Sequence, residues 1–267
     1  MKISIITTSY NSEKTIAQTI ESVINQKRID LEYIIIDGFS QDLTMDIVKK
    51  HEKNNKNIIS ISEKDNGMYD AMNKGIKMAS GDIIGILNSD DRYAYDTVLY
   101  DVANAFKNKK IDCCYGNILY VKNNKPYRYW ISGAPRTFKY GWMPPHPAFF
   151  VKRDVYDKYG FFRLDCGVNA DYEIMLRFLE VYKIKSTWIN KTFVLMQAGG
   201  RSNNGLQSRI DAIHDNKYAW QKNGLNPGFL TIYLKKIRKL SQYLLAKIFS
   251  KRLSKKIYGN TFITKLK

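Results

Sequence analysis

Short apolar runs alternate with longer stretches of helical periodicity from residue 3 to residue 87, and this rhythm constrains the chain more than any other feature. Residues 3–7, 32–37, 58–61 and 83–87 are strand-sized. Residues 13–26, 42–51 and 68–79 carry apolar side chains at helical spacing, the first with Ser12 as its expected N-cap. Strands that rejoin a sheet through a helix run parallel, so the pattern predicts an α/β fold with a mostly parallel central sheet flanked by helices. In such sheets ligands bind beyond the carboxyl ends of the strands.

The 267 residues are 44% hydrophobic and 25% charged, which suits one large domain with an appendage and excludes disorder for most of the length. No run approaches the ~20 apolar residues needed to cross a bilayer. The opening apolar segment is also shorter than the ~7–15-residue core of a signal peptide, so the mature chain is expected to start at its first residue. Cys113, Cys114 and Cys166 form neither an even framework nor metal-ligand spacing, which points to a reducing, cytoplasmic setting.

The formal charge of +18 is concentrated at one end. After Asp215 there are 13 basic residues and no acidic one, leaving +5 for the first 215 residues. Charge therefore divides the chain into a domain of residues 1–215 and a basic tail of residues 216–267. Within the tail Leu230, Tyr233, Leu234, Ile237, Leu240, Leu244, Leu245 and Ile248 fall on one helical stripe. Lys235, Lys236, Arg238, Lys239 and Lys247 lie around the other side, and the periodicity fails past Lys251. A basic amphipathic helix is expected on an anionic membrane surface. The competing reading packs the stripe on the body and leaves the lysines solvated. No nucleic-acid motif accompanies the charge, so nucleic acid is not an expected partner.

At the ends of the four expected strands stand Thr8-Ser9-Tyr10-Asn11, Asp37-Gly38-Phe39-Ser40, Glu63-Lys64-Asp65 and Asn88-Ser89-Asp90-Asp91. Each acid taken singly is an ordinary turn or cap residue. Gathered at one rim they repel one another unless a cation balances them, which suggests a hard divalent metal held by few carboxylates and shared with a phosphate. Neither G-x-G-x-x-G after the first strand nor G-x-x-x-x-G-K-[ST] occurs, which argues against a dehydrogenase and a P-loop NTPase.

These residues resemble the family 2 glycosyltransferases, inverting enzymes of the GT-A fold. The similarity rests on Ile3-Ser4-Ile5-Ile6-Thr7-Thr8-Ser9-Tyr10-Asn11, the block from Ile35 to Thr44, Glu63-Lys64-Asp65-Asn66-Gly67-Met68-Tyr69-Asp70-Ala71-Met72-Asn73-Lys74-Gly75, and Gly81 to Asp91, which resembles the metal-binding segment. Pro144-Pro145-His146-Pro147 and Ala170-Asp171-Tyr172-Glu173 resemble acceptor-side motifs. The resemblance covers roughly residues 2–205 and implies a nucleotide-sugar half, 1–105, and an acceptor half, 106–215. It places Thr8, Tyr10 and Asp37 around the nucleotide, Asp65 and Lys74 near ribose or diphosphate, and Ser89 and Asp90 beside them. Asp91, with Asp90, would hold Mn²⁺ or Mg²⁺. Two departures stand out: Phe39 and Leu43 occupy positions often held by Gly or another small residue, and Asn88 stands where many members have Asp.

The chemistry implied needs charge stabilisation on a diphosphate leaving group and one base for the incoming hydroxyl. Asp171 is the expected base, since the family pattern puts it at the start of a helix. On spacing alone it would be a first-turn carboxylate interacting with the helix dipole. Glu173 projects elsewhere on that helix and is not the expected base. His146, Arg201 and Trp142 are candidate acceptor-side or supporting residues, Arg136 could neutralise diphosphate, and residues 199–205 form a candidate closing loop. Trp130 and Tyr140 are further candidate stacking surfaces.

The resemblance implies transfer of a hexose or N-acetylhexosamine from a UDP-linked donor to a lipid-linked saccharide, in bacterial O-antigen, capsule or exopolysaccharide assembly. The expected partners are that donor, that acceptor and, through the tail, the anionic inner face of the cell membrane, with a homodimer left open. Two rivals are a sugar nucleotidyltransferase and a non-catalytic basic membrane or nucleic-acid adaptor.

Overall fold

A computed structural model of the chain describes residues 1–122, 125–198 and 206–228, with 231, 234, 237–239 and 241–243 of the tail. The first half follows the expected rhythm: β1 (Lys2–Ser9), α1 (Ile16–Ile24), β2 (Asp30–Asp37), α2 (Thr44–Asn54), β3 (Ile58–Ser62), α3 (Met68–Met78) and β4 (Ile83–Ile86). There follow β5 (Arg92–Tyr93), α4 (Val98–Phe106), β6 (Cys113–Lys122), β7 (Lys125–Trp130), β8 (Phe149–Lys152), α5 (Arg153–Tyr159), α6 (Ala170–Leu176), β9 (Ser186–Gln197) and α7 (Leu206–Lys222).

Among the described residues these strands make one nine-stranded sheet in the order β3-β2-β1-β4-β8-β6-β9-β5, with β7 paired to β6. β1 runs parallel to β2 and β4, and β2 to β3. Beyond β4 the sheet is mixed: β8 is antiparallel to both β4 and β6, whereas β9 is parallel to β6. The parallel expectation thus describes the first four strands, and the insertion of β8 brings the acceptor-side segments against the nucleotide-side half.

Helices cover both faces, which is why the central strands read as continuous apolar runs. Alternate residues sort to opposite layers. Ile3, Ile5, Tyr33, Ile35 and Ile83 pack with Ile16, Ile20, Val98 and Val102 of α1 and α4. Ile6, Ile34, Ile36, Ile84 and Ile86 pack with Ala71, Met72 and Ile76 of α3, and with Ile174 and Trp220 of α6 and α7. The close seating of α3 requires glycine: a Cβ at Gly75 would lie 2.5 Å from Ile6 Cγ2.

Three expectations change. α1 begins at Ile16, and Ser12 contributes its carbonyl rather than a side-chain cap, accepting from Thr15 N at 3.0 Å and Ile16 N at 2.9 Å. Its hydroxyl is engaged by Ser89. α7 runs straight through the boundary that charge placed after residue 215, and Ala219 and Trp220 are fully buried in the body. An excess of lysines marks a surface, not the end of a core.

In the tail, Leu230, Tyr233, Leu240, Leu244, Leu245, Ile248, Lys235, Lys236 and Lys247 lie outside the described residues. Of the expected apolar stripe, Leu234 is half-buried and Ile237 is 64% exposed. Arg238, on the expected basic face, donates from Nε to the Tyr140 carbonyl at 2.9 Å. Among the described residues no helix is long and apolar enough to cross a membrane.

Candidate functional site

The parallel register sets Ser9, Asp37 and Ser62 side by side where β1, β2 and β3 end. Asp37 is fully buried, and both of its oxygens are engaged. Oδ1 accepts from Ser9 Oγ at 2.9 Å and Ser40 Oγ at 2.5 Å; Oδ2 accepts from Ser40 N at 2.9 Å and Ser62 Oγ at 2.7 Å. Four donors saturate a carboxylate, so Asp37 locks three strand ends together. Asp37 is expected beside the nucleotide, and accepting a hydrogen bond from it would require the carboxylate to release one of these bonds.

Beside it the segments after β1, β2 and β3 approach closely. A Cβ on Gly38 would fall 2.7 Å from Asp65 Oδ2 and 3.5 Å from Tyr10 Cδ2, so the absent side chain lets Tyr10 and Asp65 close over the β2 end. Asp65 Oδ1 accepts from Gly67 N at 2.8 Å. Tyr10 is half exposed, and Thr8 is buried within β1. Asn11 and Phe39 hold left-handed backbone, at φ 48° and 64°. Phe39, where the family often has a small residue, thus accepts a conformation natural to glycine, and its ring and the Leu43 side chain are 50% and 60% exposed. Lys74, expected at the diphosphate, is turned to Glu63 Oε1 at 2.7 Å and the Lys64 carbonyl at 3.1 Å. It acts as a strut between α3 and the loop after β3.

The β1–α1 loop joins these segments to the acid pair after β4. Ser12 Oγ lies 2.9 Å from Ser89 Oγ, and Thr19 Oγ1 donates to the carbonyls of Ser89 and Asp91 at 2.9 and 2.7 Å. Asp91 is 1% exposed. Asn88 Nδ2 donates to its Oδ2 at 3.0 Å, while its Oδ1 is buried without a hydrogen-bond partner. Burial and the neighbouring charge of Asp90 push the Asp91 carboxyl well above the usual range, and burial raises Asp90 as well. Asn88 in place of Asp supplies a donor here where a third acid would add repulsion.

An orphaned oxygen on a buried acid beside a second acid fits a hard divalent cation. No group of three or more His, Cys, Asp or Glu side chains that could hold a metal converges among the described residues. The cation would therefore rest on Asp91, with Asp90, and on oxygens brought by a phosphate ligand.

Asp171 opens the second half of the site, in the first turn of α6. Its Oδ1 accepts from Tyr172 N at 2.7 Å and lies 3.4 Å from Tyr69 Oη, whose single hydrogen is divided between it and the nearer Val168 carbonyl at 2.9 Å. It lines a cavity of about 360 Å³ together with His146, Trp142, Asn169, Tyr120 and Gln197. His146 is half-buried there, its ring edge-on to Phe162 at 5.6 Å, and burial holds its pKa down against the opposing charge of Asp171. Trp142 is 4% exposed, donates from Nε1 to the Ser132 carbonyl at 2.9 Å and packs edge-on against Tyr115 and Phe138. Its exposed remnant faces the cavity, but the ring is mainly core. Arg201 and the loop 199–205 lie outside the described residues.

The two halves meet at Tyr120. Burial pushes its hydroxyl up to about 12; Arg128 opposes this, while Asp91 and Asp171 both add to it. Two acids from opposite halves of the chain thus act on one phenol. Glu173, by contrast, is fully buried and bound to Arg163, Arg177 and Asn223.

Sequence reasoning overlooked Tyr69, Asn73, Tyr120 and Arg128. Tyr69 and Asn73 sit within a quoted motif, and Asn73 exchanges two 2.9 Å hydrogen bonds with the Phe162 backbone, fixing the segment before α6 to α3. Arg128, a cation inside the aromatic run Tyr127-Arg128-Tyr129-Trp130, was the available signal for its part of the cavity.

Comparison with known proteins agrees with this geometry. The family model described as glycosyl transferase family 2 matches residues 4–166. An uncharacterized glycosyltransferase of Mycobacterium tuberculosis is 32% identical over 186 residues, covering 66% of this chain and 68% of its own. A PGL/p-HBAD biosynthesis glycosyltransferase of the same species is 28% identical over 176 residues, covering 65% and 68%. Among solved structures, S. aureus TarS 1-349 in complex with UDP-GlcNAc superposes with a TM-score of 0.64 at 18% identity, covering 98% of this chain and 77% of that one. The mannosyltransferase PcManGT from Pyrobaculum calidifontis, in complex with GDP-Man and Mn²⁺, gives 0.65 at 14% identity, covering 98% and 76%. The structural likenesses establish the fold, the GT-A type.

Proposed function

The chain belongs to glycosyl transferase family 2, and from that premise we propose an inverting transferase that moves a hexose or N-acetylhexosamine from a UDP-linked donor to a saccharide on a lipid diphosphate. The observation that carries this reading is the buried Asp91, whose Oδ1 lacks a partner beside Asp90, together with Asp171 lining a cavity of its own as the base candidate. The nucleotide would lie against Tyr10, Gly38 and Asp65, on strand ends that the saturated Asp37 fixes. Bound Mn²⁺ or Mg²⁺ would be held by Asp91, with Asp90, and would supply charge stabilisation to the departing diphosphate.

The rest belongs to side chains of this chain. Tyr172 N and Tyr69 Oη hold Asp171 Oδ1, and Oδ2 takes no hydrogen bond among the described residues. Oδ2 is the oxygen to receive the proton of the acceptor hydroxyl as that hydroxyl attacks the anomeric carbon from the face opposite the leaving group. His146, kept neutral by its burial, can accept or donate a hydrogen bond to the acceptor without competing for that proton. The hydrophobic walls at Trp130, Met143 and Met196 limit water, the competing nucleophile.

The relative named as a PGL/p-HBAD biosynthesis glycosyltransferase supports a biosynthetic transfer, and the tail of 13 basic residues supports an acceptor at an anionic membrane, with bacterial surface polysaccharide assembly as the proposed setting. The nucleotidyltransferase rival has no support in the family match.

A thermal-shift panel of sugar nucleotides with and without Mn²⁺ tests the donor. UDP-sugars should stabilise only with the cation, by about 2.7 kcal/mol at a hundred times Kd. A GDP-sugar giving the larger shift would overturn the UDP assignment. Removal of residues 231–267 should release the protein from anionic vesicles, and unchanged binding would discard the membrane reading.

A further inference from the structure

The wall of the Asp171 cavity is cationic. Arg128 on β7 is 5% exposed, its Nε has no hydrogen-bond partner, and it enters no ion pair among the described residues. It is wrapped in aromatic rings: its guanidinium lies 3.7 Å from the centroid of Tyr120, 5.6 Å from Trp130 and 5.8 Å from Tyr243. Ring faces offset part of the cost of burying a cation, but they carry no formal charge.

From the tail, Arg238 and Lys239 line the same cavity. Arg238 is oriented by its bond to the Tyr140 carbonyl, and burial together with the nearby charge of Arg136 holds its pKa below the usual arginine value. Tyr243 packs edge-on to Tyr127 at 5.4 Å; burial raises its hydroxyl, yet Arg128 and Lys239 pull it below its ordinary value. Asp171 is the one acid among the cavity's described lining residues, against these three bases. Converging cations repel as converging acids do, and what balances them is an anion.

Resting on the acceptor reading above, we propose that this cavity is an anion subsite for the acceptor, where Arg128 and the tail residues Arg238 and Lys239 clasp a phosphate or diphosphate ester next to the base. The tail then has a second duty: it completes the acceptor site that it also brings to the membrane. Guanidinium groups suit this, since they bind phosphate oxygens in pairs. The donor diphosphate is the other source of the same chemistry. Tyr10, Gly38 and Asp65 do not line this cavity, which favours the acceptor.

The test is calorimetric titration of the full chain with inorganic pyrophosphate in EDTA, where the acid pair has no cation to draw an anion toward it. Pyrophosphate should bind, and the double variant Arg238→Gln/Lys239→Gln should weaken it about tenfold or more. The double variant Lys50→Gln/Lys53→Gln, which removes the same charge from exposed positions on α2, should leave binding within about twofold. UDP added in EDTA should not displace the bound pyrophosphate. Absence of binding, equal weakening in both double variants, or displacement by UDP overturns the proposal, the last assigning the cations to the donor. Arg128→Gln is the stronger substitution but empties a buried position, so the tail pair decides. The stabilisation by UDP with Mn²⁺ should persist in the tail variant, so a failure here is distinguishable from failure of the transferase reading.

Discussion

The Tyr69 hydroxyl on α3 donates at 2.9 Å to the Val168 carbonyl and stands 3.4 Å from Asp171 Oδ1, so a helix of the first half fixes the candidate base of the second. Phe162 stacks on Tyr69 at 5.4 Å, and His146 meets Phe162 edge-on, so the base, the histidine and α3 form one packed unit.

Tyr69→Phe keeps the ring stacking and removes the donor. Transfer should fall about tenfold in kcat, roughly 1.4 kcal/mol, because the base loses alignment. Stabilisation by UDP with Mn²⁺ should be unchanged, and steady-state kinetics beside a thermal-shift assay reads both. A loss of nucleotide binding would contradict the assignment.

Asp91→Asn should act in opposite directions on stability and on ligand response. The folded-state pKa of Asp91 is raised, so the folded chain holds that proton more tightly than the unfolded one. Stability therefore falls as pH rises above the ordinary carboxylate range, and an amide removes this penalty. Without a divalent cation the variant should melt about 2–4 °C higher than the parent near pH 7.5, a gain of about 1 kcal/mol that shrinks toward pH 4. The same variant should lose the additional stabilisation by Mn²⁺ and UDP. Differential scanning calorimetry at both pH values checks the sign.

Glu173 anchors α6 to the rest of the body. Its Oε1 accepts from Arg177 Nε and Asn223 Nδ2, both at 3.0 Å, and forms an ion pair with Arg163 Nη1 at 3.0 Å, while its Oε2 accepts from Arg177 Nη2 at 3.1 Å. Glu173→Ala leaves buried Arg177 without its counter-charge and should cost about 3–5 kcal/mol, measured by urea unfolding. A cost below about 1 kcal/mol would contradict the anchoring part.

Glu32 controls acid stability at the rim opposite the site. Burial would raise its carboxyl, but Ser4, Ser80 and Lys2 outweigh burial and lower the pKa to about 2. A depressed folded-state pKa contributes stability above the unfolded value near 4.5, and that contribution is lost as pH falls toward 2. Glu32→Gln should cost about 2–3 kcal/mol at pH 7 and progressively less below pH 4, with transfer kinetics unchanged at neutral pH. A penalty that does not vary with pH would contradict the account.

The first half was legible because its signals are local. The apolar runs of residues 3–7 and 32–37 are strands buried on both faces, and the acids at their ends follow from the parallel register. The acceptor side was legible only as short motifs. That β8 enters antiparallel between β4 and β6 depends on non-local pairing, which no periodicity encodes. The same holds for Tyr120, which β6 brings to the Asp171 cavity, and for Asp37, whose four hydroxyl and amide partners come from three separate segments. The contact of Arg238 with the body was not legible because helical periodicity separates faces without saying which face meets the body. Ile237 at 64% exposure and Arg238 at the cavity show the two exchanged.

The central claim is that Asp171 removes the acceptor proton opposite a nucleotide-sugar held at the acid rim. It is tested most directly by single-turnover transfer with Asp171→Asn at saturating donor, using the UDP-sugar selected by the thermal-shift panel. The account predicts a rate at least about 10³-fold below the parent, with donor binding intact. A rate within about tenfold of the parent would contradict it.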